Sequence, residues 1–154
     1  MPTEPLRILI VEARTKSALA NQLLEGAKAA LRAAGAEFDV VSVPGALEIP
    51  AIVAVAEEGG HRAAGVRYDG YVALGCVIRG ESANFGIAAG ESARALTDLA
   101  IGKRLAIGNG ILAANSEADA ATLAKVGEAG VGADAAKACL AVIELKRRLL
   151  GQMR

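Results

Sequence analysis

Four short apolar runs, separated by stretches of helical periodicity, constrain this chain more than anything else in it. Arg7-Ile8-Leu9-Ile10-Val11 is continuously apolar after its first residue and rich in β-branched side chains. That is the pattern of a parallel strand covered on both faces, not of a strand with one wet side. Runs at 38–43, 71–77 and 104–108 give the same signal. Between the first two runs, Leu19, Leu23, Leu24, Ala27, Ala30 and Leu31 recur at helical intervals, which predicts a helix over 17–34 that buries one stripe. Gly35 follows as its stop. A second helix is expected from about Ala46, with Pro50 accommodated only in the first turn. A third follows Arg79-Gly80-Glu81-Ser82 and runs to about Ala100, and two more cover 117–124 and 133–149, the last with Arg147 and Arg148 at its negative end. Parallel strands need crossovers, and each crossover helix must cover a sheet face. The expectation is an α/β chain, a three-layer αβα sandwich around a four-stranded parallel sheet, with 1–154 forming a single domain.

Charge and composition exclude several classes. Lys plus Arg and Asp plus Glu both number 17 and no basic block occurs, so the counterion release that drives nucleic-acid binding has no source. Apolar residues make up 53% of the chain, yet no uncharged run approaches the roughly 20 residues a membrane span requires. Met1-Pro2-Thr3-Glu4-Pro5 does not read as a secretory signal. A cytoplasmic protein without membrane or nucleic-acid partners is expected. Cys76 and Cys139 lack metal-ligand spacing and read as reduced core residues, with no metal implied. His61, the single histidine, falls in the polar, glycine-rich connection 57–69 and reads as a solvated bystander. Only four aromatic side chains are present, and Ala and Gly are abundant, which suits packing through small residues and a surface given to neighbouring subunits.

Ligands of open parallel sheets lie beyond the carboxyl ends of the strands, here the segments 12–16, 44–50, 76–85 and 109–115. Arg79-Gly80-Glu81-Ser82 joins a strand to a helix start, where a guanidinium, a hydroxyl and backbone N–H groups could converge on an anion such as phosphate. An ordinary helix capped by Ser82 is the competing reading. Glu48 suits a helix start whether or not it meets a ligand. Glu12 ends the first run where response-regulator receivers carry acids, but no second acid precedes it and the last strand lacks the expected lysine. Gly108-Asn109-Gly110 lacks the third glycine and distant acid of a dinucleotide loop, so no nucleotide cofactor is implied.

Val43-Pro44-Gly45-Ala46-Leu47-Glu48-Ile49-Pro50, Ala73-Leu74-Gly75-Cys76-Val77-Ile78-Arg79-Gly80-Glu81-Ser82 and Gly108-Asn109-Gly110-Ile111-Leu112 together resemble the lumazine synthase family, as do Ala13-Arg14 and Leu23-Leu24-Glu25-Gly26-Ala27. The resemblance covers nearly the whole chain. It implies a flavodoxin-like subunit of a homo-oligomer, a pentamer or a multiple of it, with sites between adjacent subunits. It also implies condensation of 5-amino-6-(D-ribitylamino)uracil with 3,4-dihydroxy-2-butanone 4-phosphate without cofactor or metal. By position, Ala46, Leu47 and Glu48 would meet the ribityl chain. Cys76, Val77 and Ile78 would present backbone groups to the pyrimidine, and Glu81 and Ser82, beside Arg79, would receive the phosphate. Other positions depart from the family pattern. Thr15 stands where an aromatic ring stacks on the pyrimidine, and Asn84 where a histidine transfers protons. Lys125 replaces an arginine near the phosphate, Ala129 a basic residue, and Asn109 a frequently aromatic position. Two readings follow: a synthase that keeps the proximity contribution while losing acid-base help, or a non-catalytic paralog that binds a small molecule or serves as an assembly scaffold.

Overall fold

The computed structural model describes residues 4–14, 17–81, 84–127 and 130–151. The strands are β1 (Arg7–Ala13), β2 (Glu37–Val43), β3 (Gly70–Ile78) and β4 (Ile107–Ala114). The helices are α1 (Ser17–Ala33), α2 (Ile49–Gly59), α3 (Phe85–Lys103), α4 (Glu117–Ala124) and α5 (Val131–Leu149), and a 3₁₀ turn at Ala46–Glu48 leads into α2. All pairings are parallel and the strand order is β2-β1-β3-β4. This is the expected three-layer α/β architecture, with the flavodoxin-like reversal of strand order between β1 and β3.

Period-two alternation along the strands divides the core into two sets. Ile8 and Ile10 of β1 and Val72 and Leu74 of β3 point to one face, where Leu19, Leu23, Ala27 and Leu31 of α1 meet Ala135, Cys139 and Ile143 of α5. Leu9, Val11, Tyr71 and Ala73 point to the other, under Ile49 and Val53 of α2 and Leu96 of α3. The stripe read from the sequence of α1 is thus its buried face, with Leu24 and Ala30 at its margin. Complete burial of each large aliphatic side chain is worth about 1.5–3 kcal/mol. Gly35, at φ 73°, supplies the expected left-handed stop of α1.

The largest departures from the sequence reading are at β4 and α3. β4 was expected over 104–108 but starts at Ile107 and runs to Ala114, because Gly108 and Gly110 lie within the strand and do not break it. A Cβ on Gly108 would lie 1.8 Å from the Ala135 carbonyl oxygen of α5, so the glycine is a packing device that lets helix and strand backbones touch. α3 correspondingly continues past Ala100 to Lys103 and is closed by Arg104 in the left-handed region, φ 54° and ψ 47°.

At the amino-terminal ends of the strands, Arg7 and Tyr68 both hydrogen bond to the Asp39 carboxylate, at 3.1 and 2.7 Å. The Tyr68 hydroxyl, followed by the hydrogen bond and charge of Arg7, holds the Asp39 carboxyl below its ordinary range, while burial and the Tyr68–Asp39 bond push Tyr68 itself up to about 12. His61, read as a solvated bystander, is exposed, and its Nε2 lies 3.2 Å from Glu57 Oε2. Among the described residues no helix is long and apolar enough to cross a membrane.

Candidate active site

The pairing of β3 with β1 ends at Leu74, whereas its pairing with β4 continues to Ile78. The tip of β3 therefore stands beyond β1, at the point where strand order reverses. The chain leaving β2 turns through Pro44 and Gly45 into the 3₁₀ turn and packs beside this tip. Gly45 is extended, at φ −158°, and Glu48 Oε1 lies 3.1 Å from where its Cβ would be, so any larger residue would press on that carboxylate. Between these two segments and the start of α3 lies a cavity of about 450 Å³, within the range of small-molecule sites.

Eight residues singled out from the sequence line it together. Ala46, Leu47 and Glu48 form one wall; Cys76, Val77 and Ile78 form the second; Glu81 and Asn84 close it at the foot of α3. Leu47 is 39% exposed there, an apolar surface offered to whatever enters or abuts the cavity. Gly45 and Ala88 also line it and were missed. Ala88 could have been found, because it lies one helical turn after Asn84 and its N–H donates to the Asn84 carbonyl at 2.8 Å.

The remaining sequence candidates lie elsewhere or outside the described residues. Arg79 does not line the cavity: its guanidinium lies 4.7 Å from the centre of the Phe85 ring, and its Nε donates to Asn115 Oδ1 at 3.0 Å. Among the described residues, a cation–π contact and this hydrogen bond hold it beside the pocket. Asn115, the other half of that bond, ends the segment 109–115 beyond the carboxyl end of the sheet. Asn109 is not at the end of β4 as expected but third in it, exposed, with its side chain accepting the Ile111 N–H at 2.9 Å. Lys125 caps the carboxyl end of α4 and is exposed, away from the cavity lining. Thr15, Ser82 and Ala129 lie outside the described residues. The cap position of α3 belongs to Asn84, whose side chain makes no capping bond.

Nearby charge is largely structural. Glu12 is 4% exposed and binds Arg14 Nη1 at 2.6 Å and the Ser42 hydroxyl at 2.8 Å, while Arg14 also reaches Asn21 of α1. This pair, buried on its Glu12 side and half-buried at Arg14, ties β1 to β2 and α1. The two cysteines, both read as core residues, differ: burial raises the Cys139 thiol to about 12, whereas Cys76 is half-buried and lines the cavity. Among the described residues no cluster of three or more His, Cys, Asp and Glu could hold a metal ion.

Strand order and cavity place the molecule in the class of open parallel α/β folds whose ligand crevice forms at the strand-order reversal. The family model for 6,7-dimethyl-8-ribityllumazine synthase matches residues 5–147. The chain is 54% identical over 146 residues to the 6,7-dimethyl-8-ribityllumazine synthase 1 of Rhizobium meliloti (strain 1021), covering 95% of both chains. It is 52% identical to the corresponding synthase 1 of Rhodopseudomonas palustris, covering 93% of this chain and 87% of the relative. To the 6,7-dimethyl-8-ribityllumazine synthase of Agrobacterium fabrum it is 51% identical, covering 94% and 97%. This chain belongs to the lumazine synthase family.

Proposed function

We infer that the chain is a 6,7-dimethyl-8-ribityllumazine synthase, a transferase of riboflavin biosynthesis that joins 5-amino-6-(D-ribitylamino)uracil to 3,4-dihydroxy-2-butanone 4-phosphate. The observation that carries this reading is the cavity at the β3 tip, where the two sequence blocks that resemble the family face each other. The nucleophilic amine belongs to the substrate, so the site needs no activated side chain. Holding both reactants together supplies the principal contribution, an effective concentration far above that in solution. The ribityl chain would lie along Ala46, Leu47 and Glu48, the pyrimidine edge along the backbone of Cys76, Val77 and Ile78, and the phosphate near Glu81 and Ser82. In this scheme Arg79 reaches the phosphate by leaving the Phe85 ring. Asn84 has no group that titrates near neutrality, so proton transfers pass through solvent or substrate and turnover is slow.

Calorimetry with 5-amino-6-(D-ribitylamino)uracil, paired with a product assay, tests the assignment. Saturable binding with formation of the lumazine is expected. Binding without product would mark a paralog that only holds the pyrimidine, and loss of both would reduce the chain to a scaffold.

The subunit is proposed to be a single domain that works in the cytoplasm as a pentamer or a multiple of one. Asn109 on the open edge of β4 and Lys125 at the end of α4 are then placed to complete a neighbour's cavity rather than their own. Exposed Leu47, Ile87 and Ile101, at 39%, 59% and 74%, lie on the 3₁₀ turn and α3 and supply apolar surface for such contacts. Sedimentation should give a mass of at least five chains; a monomer would contradict this assembly.

A further inference from the structure

A second cleft opens at the opposite pole of the sheet, where the strands begin. It encloses about 140 Å³ between Tyr68 and Tyr71, the end of α2 at Glu57, the loop at Arg67, and the last turns of α5 at Lys146 and Arg147. Both of its carboxylates are already engaged through both oxygens. Glu57 accepts the Tyr71 hydroxyl at 2.7 Å on Oε1 and faces His61 Nε2 at 3.2 Å on Oε2. Asp69 accepts the Arg7 N–H at 2.9 Å on Oδ2 and Arg147 Nη2 at 3.3 Å on Oδ1. Arg67 and Lys146 line the same cleft, and neither is in an ion pair among the described residues. The negative end of the α5 dipole accounts for cations in its last turn, Lys146 included. It does not account for Arg67, which lies on the loop before β3, outside any helix.

We propose that this cleft binds a small oxyanion of the phosphate class, bridged between the Arg67 guanidinium and the Lys146 ammonium beside the Tyr68 ring. A planar fork and a mobile point charge converging from two elements are the pair that a doubly charged tetrahedral anion can use at once. The cleft lies at the strand ends remote from the cavity of the proposed reaction, so it constitutes a separate site and stands or falls independently of that reaction.

The sequence supplies its own reporter. The chain has no tryptophan and only two tyrosines, and both line this cleft, so tyrosine emission does not sense anion binding at the other cavity. Inorganic phosphate is titrated into the protein at constant ionic strength, with chloride as the balancing salt. A saturable change in emission is expected, with a midpoint on the order of millimolar, as suits a partly exposed pair of cations. Acetate should require at least about tenfold higher concentration, because a monoanion cannot satisfy both cations. The double variant Arg67→Ala, Lys146→Ala should weaken the phosphate response at least about tenfold. Arg62→Ala, on an exposed residue paired with Glu58, should leave it unchanged. Arg67→Gln alone, at an exposed loop position, should shift the response in the same direction as the double variant and covers the case in which that variant misfolds. An unchanged response in the Arg67 variants, or no saturable response in the parent protein, would overturn the proposal.

Discussion

Asn84→His is expected to raise turnover by about 10²- to 10⁴-fold, the usual contribution of a placed acid-base group. Asn84 lines the cavity at the foot of α3 and is exposed, so an imidazole fits there without overpacking the core. The added group titrates near its ordinary pKa of about 6.5. The variant should therefore acquire an inflection in its pH–rate profile near that value, which the parent chain lacks. The test is steady-state formation of the lumazine across pH, with both substrates saturating. An unchanged rate, with substrate affinity intact, would place the chain among non-catalytic members of its family. A gain in rate without the new inflection would mean that the imidazole acts by packing and not by proton transfer.

Gly108→Ala should cost the fold about 3 kcal/mol or more, at or beyond the upper end of ordinary overpacking. The new methyl would meet the Ala135 carbonyl oxygen at 1.8 Å and its carbon at 2.7 Å. Both are backbone atoms, so no rotamer change relieves the contact, and α5 would have to lift from β4. The same helix approaches α1 just as closely: a Cβ on Gly132 would sit 2.2 Å from the Leu23 carbonyl oxygen. Lifting α5 would therefore also loosen the face that buries Cys139 and Ile143. Against a total stability of about 5–15 kcal/mol, a large drop in the urea midpoint is expected. An unchanged midpoint would show that helix and strand are not in backbone contact.

How much of this was legible beforehand depended on whether the signal was local. The spacing of Leu19, Leu23, Ala27 and Leu31 gave the buried stripe of α1, because helical periodicity is written within a few turns. β4 was misplaced because Gly108 and Gly110 normally end a strand. Gly108 answers to the α5 backbone nearly thirty residues downstream and Gly110 to Leu74 and Ala73 of β3 more than thirty residues upstream, and no window along the chain contains these partners. In the cavity, the two motif blocks identified both walls, since each is contiguous. Their convergence followed from the strand order and not from any spacing. The position of Arg79 was not readable, because its preference for the Phe85 ring and Asn115 is a contest among three side chains settled only in space. The partnership of His61 with Glu57 spans one helical turn and could have been found by testing four-residue spacing across the end of α2.

The left-handed residue at Arg104 marks the corner between α3 and β4. Because the chain doubles back there, the Leu105 N–H returns to the Ala100 carbonyl at 3.1 Å and pairing with β3 starts at Ile107. A reversal displaced by one residue would exchange the two faces of the strand. Ile107 and Ile111 would then lie under α5, which tolerates only glycine at its closest approach, and the glycines would be wasted opposite α3. The corner at Arg104 and the glycines of β4 thus agree on a single phase for the strand.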